Sequence, residues 1–130
     1  MNQNNMNNIK YYKTYLIAYK LPNNNLANYK IPEAARALEG FVDEMSNWYV
    51  RRGRERYWVQ GMTDDKLAAY MTLYHALVIT AKTAAPMIPF MAENIYQNLV
   101  GSVDKNAPES IHLCSFPEVN EELIDTKLEE

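Results

Sequence analysis

The sequence predicts an all-α fold, organised as an antiparallel helical bundle. Glycine is scarce, at 4 of 130 residues, and 48% of the chain is hydrophobic. The abundant alanine, leucine, methionine and glutamate favour helix over an all-β fold. Apolar residues recur at three- and four-residue spacing in three windows joined by short loops, which is typical of a bundle. The length suits one domain with its own core and is too short for two ordinary domains.

Residues 1–28 form an Asn-rich, poorly defined lead-in segment, and the helical bundle occupies residues 29–130. The polar run MNQNNMNN cannot bury a core and is expected to be disordered. The following IKYYKTYLIAYKLP fits the two-residue period of a strand and the spacing of a helix equally well, so its fold stays open. PNNNLANYKIP predicts a loop, because it combines turn-forming asparagines with two prolines.

A first amphipathic helix is predicted from Pro32 to about Arg56. Pro32 suits the first turn, and Glu33 favours the positive end of the helix dipole. Gly53 weakens the helix late, and Gly61 ends it. Its buried stripe is predicted to comprise Ala34, Leu38, Phe41 or Val42, Met45, and Trp48 or Tyr49.

Two further helices are predicted. Thr63 or Asp64 caps the second helix, and Pro86 stops it. Pro89 can start the third helix, and Gly101 closes it. The predicted buried faces are Leu67, Tyr70, Tyr74, Leu77, Val78 and Ala81 in the second helix, and Phe90, Met91, Ile95, Tyr96 and Leu99 in the third.

The remainder of the chain is less regular. SVDKNAPES predicts a loop, and IHLCSFPEV alternates weakly and contains a proline, so an extended segment lying on the bundle is expected near residues 109–119. The final NEELIDTKLEE could begin a fourth helix.

Charge is unevenly distributed along the chain. The net charge is −3, which argues against a global attraction to nucleic acid. Residues 1–65 carry nine Lys/Arg against seven Asp/Glu, whereas residues 66–130 carry four against nine. Any binding to an anion must therefore come from a local basic patch.

The sequence favours a cytoplasmic protein without a membrane partner. Its single cysteine, Cys114, excludes a secreted disulfide scaffold and suits a reducing compartment. The N-terminus lacks the apolar stretch of a signal peptide. The most apolar window, Ala76 to Ala92, is too short and too broken by charge and proline to span a bilayer.

Catalysis within this chain is not expected. Glycine is too rare for a Gly-rich phosphate loop, and no nucleophile–base pair stands at a suggestive spacing. His75 and His112 are isolated along the chain, and His112 with Cys114 supplies only two potential ligands. Two ligands do not make a zinc site, so no metal is predicted.

The stretch NWYVRRGRERYW, residues 47–58, gathers four arginines and four aromatic residues, and we call it the arginine segment. One interpretation is structural: the rings are core, and the arginines are solvated or paired with acidic neighbours. The other is functional, because a guanidinium bonds two phosphate oxygens at once and stacks on bases, as aromatic rings do. Composition alone does not decide between them.

Three stretches together resemble the anticodon-binding region of isoleucyl-tRNA synthetases. They are FVDEMSNWYVRRGRERYW (Phe41 to Trp58), AAYMTLYHALVITAKTAAPMIPFMAENIYQNL (Ala68 to Leu99) and PESIHLCSFPEV (Pro108 to Val119). The resemblance runs from about Tyr29 to Val119, with its motifs in the family's order. Valyl synthetases usually carry an acidic residue where Arg51 stands, which favours the isoleucyl family.

The resemblance implies a class Ia anticodon-binding domain, a helical bundle that docks on the anticodon stem-loop of isoleucine tRNA. The parent enzyme would attach isoleucine to tRNA with ATP and Mg²⁺ in a catalytic domain that this sequence lacks, as it also lacks the editing domain. The chain itself would then be no enzyme and would hold no cofactor. Residues 1–28 depart from the family's lead-in, and the family continues past DTKLEE into an extension that carries zinc in bacterial forms, so zinc is not expected here.

The resemblance also assigns roles to residues. The candidates for contact with tRNA are Arg51, Arg52, Arg54 and Arg56, of which at least one is expected to pair internally with Asp43, Glu44 or Glu93. Glu118 to Glu130 should face away from RNA. The structural residues are Trp48, Tyr49 and Trp58 in the core, Pro86, Pro89 and Phe90 at the turn between two helices, and Glu93 as a cap or ion-pair partner.

Two alternatives remain open at the level of sequence. The chain could be a helical protein-interaction module without RNA binding in isolation, using a Met- and Tyr-rich surface. It could also be the equivalent domain of a valyl- or leucyl-tRNA synthetase, although Arg51 and Arg52 argue against valine. Besides tRNA, the expected partners are the remaining domains of the same synthetase. The sequence does not determine which tRNA bases are contacted or the oligomeric state.

Overall fold

A computed structural model describes residues 24–118, and within them the predicted all-α fold is confirmed. No strand occurs in this part of the chain. Most of the lead-in segment, the additional helix predicted for NEELIDTKLEE and nearly all of the acidic tail lie outside the described residues. After a helical turn at residues 24–27, the helices are α1 (Ile31–Glu44), α2 (Arg54–Trp58), α3 (Asp64–Ala84) and α4 (Pro89–Tyr96), with a 3-10 turn at Ile111–Leu113.

The helix ends lie where local chemistry places them. A proline occupies the first turn of both α1 and α4, where its missing N–H costs nothing. Thr63, rather than Asp64, caps α3: its side-chain oxygen accepts a hydrogen bond from the backbone N–H of Lys66 at 3.2 Å. The acidic Asp64 and Asp65 follow in the first turn, where the helix dipole favours negative charge.

Two helices widen into π-helical hydrogen bonding at their carboxyl ends, which the sequence pattern did not indicate. The first π-helical turn, Met45–Val50, extends α1, and the second, Gln97–Gly101, extends α4. A π-helical turn holds one more residue than an α-helical turn, so it rotates every later side chain around the helix axis. The first of these turns leads directly into the arginines.

Two glycines shape the chain between α1 and α3. The N–H of Gly53 donates to the Tyr49 carbonyl at 2.9 Å, and a Cβ at position 53 would stand 2.8 Å from that oxygen. A residue with a side chain would therefore require a shift of the backbone at this position. Gly53 departs from helical geometry, with a ψ of 2°, and α2 begins at the next residue. Gly61 adopts a φ of 78°, which L-residues with a Cβ disfavour, and this lets the chain reverse before α3.

The α1–α2 segment runs antiparallel to α3. Arg56 contacts Asp65 at the start of α3, and the Tyr49 hydroxyl reaches the Ala69 carbonyl farther along it. Of the alternatives left open for α1, Phe41 and Tyr49 are buried, whereas Val42 is 43% exposed and Trp48 only partly buried. One core cluster comprises Phe41, Met45, Tyr49 and Ala76.

The predicted buried face of α3 is wrong in its first half. Leu67 and Tyr70 are 49% and 44% exposed. The buried residues are small instead: Ala69, Thr72, Ala76, Ala81, Thr83 and Ala84. Large side chains of neighbouring segments cover these small residues: Phe41, Met45 and Tyr49 pack at Ala76, and Tyr96 and Ile111 pack at Ala81.

The predicted inner face of α4 is half correct. Tyr96 is buried as expected, and Ala92 is buried beside it, whereas Phe90 and Met91 are 91% and 62% exposed. The extended segment expected near 109–119 includes a 3-10 turn at Ile111–Leu113, whose Ile111 is buried against α3 and α4. A second core cluster comprises Ala81, Ala85, Ala92, Tyr96 and Ile111.

Candidate functional site

The arginine segment spans the first π-helical turn and α2. Arg51, Arg52 and Arg54 are all exposed. The guanidinium carbon of Arg52 lies 5.4 Å from the centre of the Trp48 ring, and that of Arg54 lies 4.1 Å from the centre of the Trp58 ring. Both are pairs four residues apart, the spacing that brings side chains together on one helix face. Each of these two arginines is thus held over an indole by a cation–π contact while remaining open to solvent.

Arg56 occupies a different position. Its Nε and Nη2 atoms donate to the two carboxylate oxygens of Asp65, both at 2.8 Å, and Nη2 also donates to the Asp65 carbonyl at 3.2 Å. The Arg56 side chain is only 12% exposed. This fork joins α2 to the first turn of α3, so Arg56 serves as a brace between helices.

The internal ion pair expected for one arginine therefore exists, but its predicted partners are wrong. The acid is Asp65. Asp43 instead accepts a hydrogen bond from the side chain of Asn47 at 2.7 Å, and Glu93 lies in a separate cluster described below. Sequence reasoning missed Asp65 because an acidic residue in a first helical turn is fully explained by the helix dipole.

The aromatic residues of the segment, like its arginines, differ in their exposure to solvent. Tyr49 is 4% exposed, as expected of a core residue, and its hydroxyl donates to the Ala69 carbonyl at 3.3 Å. Tyr57 packs edge-on against Tyr70 with ring centres 5.0 Å apart, and burial raises the pKa of its hydroxyl. Trp48 packs partly against the first core cluster. Trp58, expected in the core, is 70% exposed, which corrects that prediction.

Two cationic side chains make contacts at the end of α2. Arg54 covers one side of the Trp58 ring. The ammonium of Lys66 donates to the carbonyl of Val59, the residue that follows Trp58, at 2.8 Å. Glu55 is exposed nearby, while the charge of Arg56 is balanced by Asp65. Lys66 was not among the predicted contact residues, because only the folded chain brings it to the end of α2.

Glu93 anchors the segment after α4, as its expected role of cap or partner requires. Its carboxylate accepts hydrogen bonds from Gln97 at 2.8 Å, from the Ser110 hydroxyl at 2.8 Å and from the Ile111 N–H at 3.0 Å. The Gln97 and Ser110 bonds hold the pKa of this carboxyl below its ordinary value. The His112 Nε2 lies 4.0 Å from the same carboxylate.

The remaining predicted structural residues lie at the turn between α3 and α4. Pro86 and Pro89 are exposed, and Pro89 occupies the first turn of α4. Phe90 belongs to the same turn but contributes nothing to the core. Farther along α4, the Tyr96 hydroxyl donates to the Pro108 carbonyl at 2.9 Å. Burial, together with the nearby Cys114, raises the pKa of Tyr96 to about 12.

Metal and membrane features were sought over residues 24–118. Nowhere in this range do three or more His, Cys, Asp or Glu side chains come together as metal ligands would. The helices in the same range are too short or too polar to cross a bilayer.

Comparison with known proteins identifies the family. Residues 18–130 match the family described as the anticodon-binding domain of tRNA ligase. Similar proteins include isoleucine–tRNA ligases from Clostridium acetobutylicum (58% identity over 107 residues) and Clostridium novyi (59% over 105 residues). The isoleucine–tRNA ligase of Methanothrix thermoacetophila is 47% identical over 107 residues.

These alignments cover 82%, 81% and 82% of this chain but only 10% of each relative. The chain therefore spans about a tenth of the length of the relatives it matches. The helical residues described, within 24–118, lie inside the matched region. The chain belongs to the family of anticodon-binding domains of tRNA ligases.

Proposed function

We propose that this domain binds the anticodon stem-loop of an isoleucine tRNA, as part of a cytoplasmic isoleucine–tRNA ligase. The observation that carries the proposal is the exposure of Arg51, Arg52 and Arg54 on one short segment, next to an exposed indole. The choice of isoleucine rests on the relatives, which are isoleucine–tRNA ligases at 47–59% identity.

The arginines suit the phosphates of an RNA backbone. A guanidinium presents several N–H donors in a planar fork and bonds two phosphate oxygens at once, which a lysine ammonium cannot do. Such contacts position the RNA and give the interaction a steep dependence on salt, because each neutralised phosphate releases counterions. Arg52 and Arg54 are the strongest candidates, since their contacts with Trp48 and Trp58 hold them in place at the surface.

Aminoacylation and editing would belong to the rest of the protein. With four glycines and no Gly-rich phosphate loop, the residues of this chain do not fit an ATP site, and no chemical step is assigned to them. Isoleucine, ATP and Mg²⁺ would be bound by the other nine-tenths of the ligase. This domain would contribute affinity for the tRNA and its orientation.

Binding of the complete 130-residue chain to an isoleucine tRNA transcript tests the proposal. Affinity would be measured by fluorescence anisotropy across a salt series, against a transcript for an unrelated amino acid. Arg52→Ala and Arg54→Ala should weaken binding and reduce the slope of log affinity against log salt by about 0.7–0.9 for each phosphate that the variant no longer neutralises. Arg36→Ala is the matched control, because Arg36 is an exposed arginine of α1 outside the arginine segment.

Three results would count against the proposal. A folded chain that binds neither transcript, or binds with no dependence on salt, would favour a protein-interaction module. Equal affinity for both transcripts would reject recognition of isoleucine tRNA by this domain. An Arg36→Ala effect as large as that of Arg52→Ala would reject the arginine segment as the contact surface.

A further inference from the structure

Trp58 is the feature that the structural role of the arginine segment leaves unexplained. Tryptophan is costly to expose, and 70% of this side chain is accessible. The other tryptophan of the segment, Trp48, packs against the first core cluster. We infer that Trp58 is a stacking platform for an unpaired base of the bound RNA, an inference that rests on the proposed function.

The geometry leaves one face of the indole free. The Arg54 guanidinium lies over the ring at 4.1 Å from its centre, so it occupies one face. With most of the side chain still accessible, the opposite face is open to solvent. A planar base can stack on that face, because every base has a π surface of the size that an indole covers. Arg54 and the base would then sandwich the indole, while the outer N–H groups of Arg54 remain available to a phosphate.

Trp58 also stands on a part of the backbone that is tied to α3. It ends α2, and the preceding turn of that helix is fixed to α3 by the fork between Arg56 and Asp65. Lys66 reaches back from α3 to the Val59 carbonyl and closes the segment on its other side. The backbone that carries the ring therefore needs little ordering when a base arrives, which lowers the entropic cost of binding.

The surrounding charge favours an RNA base over an apolar protein surface. Arg54 lies over one face of the ring, so an incoming group meets a positive charge beside the indole. A nucleotide satisfies both features at once, with its base on the indole and its phosphate beside a cation. The rival occupant is protein, because Val59 and Met62 are exposed in the adjoining turn, 47% and 70% respectively.

A substitution series at Trp58 separates stacking from apolar packing. Affinity of the complete chain for the isoleucine anticodon stem-loop RNA would be measured for Trp58→Phe, Trp58→Leu and Trp58→Ala. Stacking predicts that Phe retains most of the affinity, while Leu and Ala each weaken binding roughly tenfold or more. Trp58→Phe should also keep the wild-type salt slope, since no charge is removed and an aromatic ring still faces Arg54. Equal affinity for Leu and Phe would overturn the inference in favour of generic apolar contact.

An RNA change completes the test. The loop nucleotides of the stem-loop would be made abasic one at a time. At the position whose base stacks on Trp58, the abasic RNA should bind wild type and Trp58→Ala with the same affinity, because the stacking contact is already lost. In Trp48→Phe, Trp58 is the sole remaining tryptophan, and RNA should quench its fluorescence. Full retention of affinity by Trp58→Ala would refute the stacking role while leaving the proposed function intact. So would RNA binding to Trp48→Phe that leaves the Trp58 fluorescence unchanged. Absence of RNA binding by a folded wild-type chain would refute both.

Discussion

Removing Arg56 should destabilise the domain more than removing its neighbour Arg54. The Arg56 guanidinium makes two charge-assisted hydrogen bonds of 2.8 Å to the Asp65 carboxylate, and its side chain is 12% exposed. A shielded charged hydrogen bond contributes roughly 1.5–3 kcal/mol, and an exposed ion pair at most about 1 kcal/mol. Because Asp65 is 39% exposed, solvent screens the pair in part. Arg56→Ala should therefore lower the free energy of unfolding by about 2 kcal/mol, a value between those of a shielded and an exposed pair.

Arg54 makes no comparable bond within residues 24–118. Its contact with Trp58 is at the surface, where a cation–π pair contributes about 0.5–1 kcal/mol. For a chain of this size a loss of about 2 kcal/mol lowers the melting temperature by about 8 °C, against about 2–4 °C for Arg54→Ala. Arg56→Lys keeps the charge but cannot form the fork, so it should resemble Arg56→Ala more closely than wild type.

Thermal and urea unfolding followed by far-UV circular dichroism would measure these differences. RNA binding of the same variants gives the complementary readout: well below its melting temperature, Arg56→Ala should lose only part of its affinity, and Arg54→Ala should lose more. Equal destabilisation by the two alanine variants would refute the assignment of Arg56 as the brace. So would an Arg56→Ala protein as stable as wild type.

The remaining predictions concern the turn glycines and the Glu93 cluster. Gly61→Ala should lower the free energy of unfolding by about 1–2 kcal/mol because of the positive φ at this position. Gly40→Ala, at an open helical position, should raise it by about 0.5–1 kcal/mol. Urea unfolding measures both changes, and changes of the same sign would contradict the argument. Hydrogen bonds lower the folded pKa of Glu93, so its contribution to stability is complete above its ordinary value of 4.5 and is lost as the pH falls through the folded value. Glu93→Gln should therefore flatten the acid limb of stability against pH, and an unchanged acid limb would contradict it.

The helix ends could be predicted from sequence, because they depend on local chemistry. Thr63 as a cap, the prolines in the first turns and the weak point at Gly53 each follow from the backbone needs of a few neighbouring residues. The same holds for the stripe of α1 up to Met45, which follows a regular helical period.

The buried face of α3 could not be predicted in this way. Hydrophobic periodicity selects the large residues, such as Leu67 and Tyr70, and both are exposed. The helices pack through Ala69 and Ala76 because Tyr49 and other large residues of the α1 segment need the space. At a contact between two helices, either helix can supply the large side chains. The sequence of one helix alone does not determine which of the two does so.

The resemblance places Trp58 in the core together with Trp48 and Tyr49, because it treats the whole motif as architectural. The chain leaves the regular α-helix at Met45–Val50 and breaks again at Gly53, so the burial of Tyr49 does not carry over to Trp58. The partner of Arg56 was missed because Asp65 lies on the next helix, and pairing across helices depends on how they dock.

The arrangement of the segment explains how one basic motif can be both architectural and exposed. Two contacts tie it to α3: the Tyr49 hydroxyl on the Ala69 carbonyl before the arginines, and the Arg56 fork on Asp65 after them. The residues between these two points, including Arg52 and Arg54, cannot turn inward without breaking one of the ties. Their exposure is therefore fixed by the fold, and the segment is ordered during folding rather than at the moment of binding. A chain without one of these ties should still bind RNA, but more weakly than wild type, because its arginines would have to be ordered by the ligand.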